Sequence, residues 1–180
     1  TGRIMYYLQD SFISNIEDDI VNTLYYISGN VLQSSKISKN SGEGLILNES
    51  NDYYLGQIKE NLKHGKGKMR INNHKAFFDG IFEEDKFTNG IISSNNIRKF
   101  EGQLENEKLI KGKYYYDIEN FYEGTFSNNE RDGEGKYNYN QMISFIGSWE
   151  KGLKEGKGLI IINKRDIQTE WIRNKILYNC

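Results

Sequence analysis

The chain has 180 residues, enough for one domain, and its 24 basic and 25 acidic side chains leave a formal charge of −1. That balance supplies none of the basic footprint that nucleic-acid binding draws on, and no apolar run approaches the length that crosses a bilayer as a helix. Aromatic residues make up 13% of the chain, which argues against disorder, and 18 glycines with no proline suit strand ladders.

Residues 1–25 are expected to form a degenerate first repeat or a cap. Arg3-Ile-Met-Tyr-Tyr-Leu8 and Asp10-Ser-Phe-Ile13 have strand composition around a polar turn at Ser14-Asn-Ile-Glu-Asp-Asp19. A short amphipathic helix from Ile16 to Leu24, capped by Ser14 or Asn15, is the rival. No signal peptide is visible in Thr1-Gly-Arg-Ile-Met-Tyr-Tyr-Leu8.

From residue 26 to 180 one repeated pattern governs the chain. It reads aromatic-x-Gly-x-aromatic, a polar turn, Gly-x-Gly, then an apolar run. The fullest copy is Phe145-Ile-Gly-Ser-Trp149 with Gly156-Lys-Gly158 and Leu159-Ile-Ile-Ile162. Tyr122-Glu-Gly-Thr-Phe126 with Gly133-Glu-Gly135, and Tyr54-Leu-Gly-Gln-Ile58 with Gly65-Lys-Gly67, repeat it. The anchors Gly29, Gly56, Gly80, Gly102, Gly124, Gly147 and Thr169 stand 27, 24, 22, 22, 23 and 22 residues apart by subtraction. Leu32-Gln-Ser-Ser-Lys-Ile-Ser-Lys-Asn40 lengthens the first turn, before Gly42-Glu-Gly44, and is the loop most expected to move.

Two central copies depart from the pattern. Each has a lone glycine, Gly90 or Gly112, one step later than the first glycine of the usual pair. A one-residue shift swaps the faces of a strand, so a bulge or an altered turn is expected there. The last copy, Thr169-Glu-Trp171 with Asn174-Lys-Ile176, stops half-way.

Phe145, Gly147 and Trp149 share a period of two, which puts them on one face of a strand. Gly156, Gly158, Ile160 and Ile162 do the same on the next strand. Glycine load and period both exclude a helix. A lone hairpin is marginal, whereas six or seven stacked in register bury a continuous apolar seam. The expected fold is all-β: an elongated single-layer antiparallel sheet of stacked hairpins, about 14 strands and on the order of 65 Å long. A glycine flanked by rings leaves a slot, expected to take a ring from the neighbouring hairpin.

Tyr122-Glu-Gly-Thr-Phe126, Gly133-Glu-Gly135 and His64-Gly-Lys-Gly67 closely resemble the membrane occupation and recognition nexus (MORN) repeat. The resemblance covers about residues 26–177. It implies about six repeats plus a C-terminal half repeat, and a groove that holds partner segments, often helices.

No chemistry competes with that reading. His64 and His74 lack partners at metal-ligand spacing. The only cysteine, Cys180, is the last residue, so there is no disulfide framework and no Cys-His nucleophile. The paired glycines lack the third glycine and the helix of a dinucleotide loop. The clusters Glu17-Asp-Asp19 and Glu83-Glu-Asp85 read by default as solvated turns. The chain is read as a non-enzyme without cofactors, in a reducing, cytoplasmic setting; the resemblance places it at the membrane cortex or cytoskeleton.

The candidate surface is the aromatic stripe: Tyr54, Phe78, Phe82, Phe100, Tyr122, Phe126, Phe145 and Trp149. For any one ring, self-packing is the default, but a single-layer sheet cannot hide both faces, and an open apolar groove marks a binding surface. The leading expectation is a scaffold that seats an amphipathic helix of an unidentified protein partner. A second is an anionic membrane or phosphoinositide surface met by Lys63, Lys66, Lys68, Lys151, Lys154 and Lys157 at the hairpin tips. A third, implied by the resemblance, is the regulatory arm of a larger lipid kinase or lysine methyltransferase. Open end strands also leave a homodimer through the terminal repeats as an expectation.

Overall fold

The computed structural model describes residues 24–27, 31–34, 42–47, 52–71 and 75–177. They form one antiparallel sheet of fifteen strands whose spatial order is the chain order. The strands are β1 Leu24–Ile27, β2 Val31–Ser34, β3 Gly42–Leu47, β4 Tyr53–Lys59, β5 Leu62–Ile71 and β6 Ala76–Glu83. Then come β7 Lys86–Ser94, β8 Ile97–Glu105, β9 Lys108–Tyr115, β10 Phe121–Ser127 and β11 Glu130–Asn138. The last are β12 Ile143–Glu150, β13 Leu153–Ile162, β14 Arg165–Ile172 and β15 Lys175–Ile176. Among the described residues there is no helix, and each strand pairs only with its sequence neighbours.

A row of glycines crosses this sheet. From Gly44 in β3 to Gly158 in β13 every strand contributes one, each opposite the next, and Thr169 takes the place in β14. The row leaves room for rings. A Cβ on Gly124 would lie 2.5 Å from the Tyr122 hydroxyl and 2.7 Å from Gly135 Cα. A Cβ on Gly147 would lie 2.7 Å from the Phe145 ring and 2.9 Å from Gly158 Cα. The slot is therefore filled by the ring two residues back on the same strand, which lies over its own glycine and the facing one. A ring from the neighbouring hairpin, the expected occupant, is not what fills it. Thr169 closes the row with its hydroxyl, donating to the Gly158 carbonyl (2.9 Å) and accepting from the Trp171 indole (2.7 Å).

The lone glycines keep the row intact. Gly90 and Gly112 pair with Gly80 and Gly102, as the second glycine of each pair does elsewhere. The hairpins absorb the difference in their bulges: the register shifts by one residue in β6–β7 and β8–β9, and by two in β4–β5, β10–β11 and β12–β13. The first glycines of the pairs, Gly65 and Gly133, sit in the larger bulge at φ of 61° and 80°, where a side chain is strained.

Among the described residues eight turns carry two successive residues at positive φ, including Glu60-Asn61, Asn95-Asn96, Asn128-Asn129 and Lys151-Gly152. These are type I′ hairpin turns. Half of their sixteen positions are asparagine, which tolerates this backbone best after glycine. The turns also tie one hairpin to the previous one. Asp85, Asn129 and Asn174 each accept a backbone N–H through Oδ1, from Lys63, Leu109 and Lys154, at 2.8–2.9 Å. The acidic stretch at 83–85 is thus a turn, with Asp85 also 3.1 Å from the Lys63 ammonium.

At the N-terminal end the reading needs correction. Gly29, the first anchor, lies outside the described residues. Leu32–Ser34, expected in a turn, belongs to β2. The alternatives for residues 1–23, the mobile-loop expectation for 35–41, His74 and Cys180 also lie outside the described residues.

Candidate functional site

The two faces of the sheet differ because side chains alternate. On the glycine-row face, the residues two before and two after the anchor glycine turn inward as aromatics. Tyr54, Phe82, Phe100, Tyr122, Phe126, Phe145 and Trp149 are all buried, Tyr122 completely. They pack edge to face: Phe100–Phe126, Tyr122–Phe126, Tyr122–Trp149, Phe145–Trp149 and Phe145–Trp171 have centroids 5.1–5.9 Å apart and planes crossed by 75–82°. Such pairs add about 0.5–1.5 kcal/mol each beyond burial. These seven rings are core rather than walls of an open groove. Phe78 is only half-buried; over Gly90 its place is taken by Phe87, which the stripe as read did not include. Trp171 is a second buried ring that was missed.

The rings form two clusters. Tyr54, Ile58, Phe82 and Phe87 make one; Phe100 to Trp171 make the other. The break falls at Leu104, which stands where the other copies carry Phe82, Phe126, Trp149 or Trp171 and touches both clusters.

What a partner could meet on this face is the next column. The residue two past the row glycine of each second strand stands beside a buried ring; in β9 and β11 it is Tyr114 and Tyr137. With Tyr116 and Tyr139 they form a patch, the rings 5.1 Å (114–116), 5.6 Å (116–137) and 4.6 Å (137–139) apart. Two sorts of tyrosine result. The hydroxyls of Tyr54 and Tyr122 donate to backbone carbonyls of their own strands, Gln57 at 2.7 Å and Thr125 at 3.0 Å. Those of Tyr114, Tyr116, Tyr137 and Tyr139 have no protein partner among the described residues. Burial raises the phenols of Tyr116, Tyr137 and Tyr139 above the usual value, with the Arg131 guanidinium pulling back, so they face a partner as neutral donors.

Two cations complete the patch. The Arg131 guanidinium lies 4.3 Å from the Trp149 ring and 5.5 Å from Tyr137, and bonds the Gly152 carbonyl. The Lys154 ammonium lies 4.3 Å from Trp171 and about 5 Å from Tyr139 and Phe145. Burial, and then Arg131, pushes its pKa down. A groove of about 480 Å³ opens beside Arg131, lined by Leu109, Tyr114, Tyr116, Phe126 and Gly152 among others. The connections at this edge, 116–120 and 139–142, carry Ile118, which is 96% exposed, and Met142.

The opposite face is charged and self-compensating. Glu101, Lys113, Glu123 and Lys136 stand opposite one another in alternating sign across β8–β11, and Lys68 lies 3.8 Å from Asp79. The six lysines expected to face lipid do not gather. Lys66, Lys68 and Lys157 are on the charged face, Lys63 and Lys154 are on the aromatic face at separate hairpins, and Lys151 is in a turn. The β5 and β13 groups are eight strands apart, on the order of 40 Å. His64 is half-buried in β5, and no group of three or more metal-ligating residues occurs among the described residues.

The family model described as MORN repeat matches residues 54–75, 122–141 and 145–162. The chain carries MORN repeats. Two of the three matched segments contain Tyr122, Arg131, Tyr137, Tyr139 and Lys154, while Tyr114 and Tyr116 lie outside the matches. The stretch 76–121, outside the matches, carries the same glycine row. MORN repeats are interaction modules for proteins and membranes and not catalytic units. No curated protein matches the chain.

Proposed function

We propose that this chain is a non-catalytic scaffold whose aromatic face, at β9–β13, seats an amphipathic segment of a partner protein. The observation that carries the reading is the split among the tyrosines. The buried ones are satisfied within their own strands, while Tyr114, Tyr116, Tyr137 and Tyr139 present apolar rings with unpartnered hydroxyls beside a groove. Half-wet aromatic surfaces of this kind make contact hot spots. A membrane-binding role has less support, because the exposed cations are dispersed over both faces and the turns.

The test is recovery of binding partners from native extract by Tyr116→Ala/Tyr139→Ala and, on the opposite face, by Glu123→Ala. The tyrosine variant should lose a polypeptide that the glutamate variant retains, with unchanged far-UV circular dichroism in both. Equal recovery by the two variants overturns the reading.

A further inference from the structure

Resting on that reading, we infer that Arg131 and Lys154 read carboxylates, and that the segment seated on the tyrosine patch is an acidic amphipathic peptide. The inference comes from where charge is left unmatched. On the far face Lys113 stands between Glu101 and Glu123, and Lys68 lies 3.8 Å from Asp79. On the aromatic face neither Arg131 nor Lys154 has a carboxylate within ion-pair distance among the described residues. Glu130, exposed at the groove rim, makes no ion pair with Arg131.

Both cations are held in place without being neutralised. Arg131 is fixed by the Gly152 carbonyl and the Trp149 face, and Lys154 by the faces of Trp171, Phe145 and Tyr139. A ring orients a cation and leaves its N–H donors free for an acceptor. A guanidinium, an ammonium and four phenol hydroxyls thus converge on one surface. Partially desolvated like charges held together favour a ligand that brings negative charge. Arg131 and Lys154 lie two strands apart, on the order of 10 Å, which is about the rise between residues i and i+7 of an α-helix.

The probe is a pair of synthetic helical peptides. One has glutamates seven residues apart with leucines between them; the other has glutamines at the same places. Binding to the full chain is read by tryptophan fluorescence, since both tryptophans touch these cations. The glutamate peptide should bind at least about tenfold tighter, the size of one charge-assisted hydrogen bond, and the advantage should shrink with salt. Arg131→Gln/Lys154→Gln should abolish the advantage, and Arg131→Lys, which keeps the charge, should retain part of it. Thermal melts confirm folding of each variant.

Equal affinity for the two peptides, still lost in Tyr116→Ala/Tyr139→Ala, overturns the carboxylate assignment and leaves the aromatic docking surface standing. No binding of either peptide overturns both. Capture of phosphatidylserine vesicles through Arg131 and Lys154, without preference between the peptides, also overturns the assignment, in favour of lipid.

Discussion

At the residue scale, glycine serves two purposes that one substitution each separates. Gly124 lacks a Cβ because a ring and a facing strand occupy its place. Gly124→Ala should cost about 1–3 kcal/mol by urea titration, since neither the Gly135 backbone nor the Tyr122 ring can yield cheaply. Gly152 has open space but a φ of 80°, so its requirement is conformational. Gly152→Asn should be neutral within about 0.5 kcal/mol, because asparagine already serves at the equivalent 129 and 174. A loss above 1 kcal/mol there would contradict the turn assignment. The buried phenols make a pH prediction. Burial, the leading cause, raises Tyr54 and Tyr122 to about 12, against 10.0 for a free tyrosine. The fold favours the neutral phenol, so their contribution is complete below pH 10 and is lost as pH climbs towards 12. Melting temperature should fall across that window. Tyr122→Phe should flatten the fall while costing about 1 kcal/mol at neutral pH through the lost Thr125 bond.

At the element scale, the first strand of each repeat was legible and the second was not. Aromatic-x-Gly-x-aromatic announces which face is apolar, and Tyr54, Tyr122 and Phe145 are buried where alternation put them. In the second strand a bulge of one or two residues intervenes between turn and row glycine. The face of Tyr114 or Tyr137 therefore follows from the register, which the sequence leaves implicit. The same bulge hid the equivalence of Gly90 with the second glycine of a pair. Asparagine content reads as compositional bias until the turns show its backbone role. The turn ties give a direct check. Asn129→Gly keeps the left-handed backbone and removes only the Oδ1 bond to the Leu109 N–H, so it should cost about 1 kcal/mol. No change in the urea midpoint would show that the tie contributes nothing.

At the scale of the whole molecule, a sheet in which each strand pairs only with its neighbours and each hairpin packs its rings on the next has stability that sums over repeats and interfaces. The break at Leu104 divides that sum in two. Both tryptophans lie in the Phe100–Trp171 cluster, so their fluorescence reports one half while circular dichroism reports all of the sheet. Phe82→Ala, in the other cluster, should shift part of the circular-dichroism transition by several kcal/mol and leave the fluorescence midpoint nearly in place. Coincident shifts would show one cooperative unit. The open tyrosines, Arg131 and Lys154 all lie in the tryptophan half. The stripe read from sequence consists mostly of rings that hold the sheet together, because burial follows the strong aromatic pattern, while the open tyrosines stand in the weaker column beside it.

The most direct measurement is site-specific photocrosslinking in the native cell, with a photoreactive phenylalanine placed at Tyr116 on the aromatic face or at Glu123 on the charged face. The expected result is a discrete crosslinked polypeptide from position 116 and none from 123. Crosslinks from 123 alone, or equally from both, would contradict the claim that the open tyrosine patch is the binding surface.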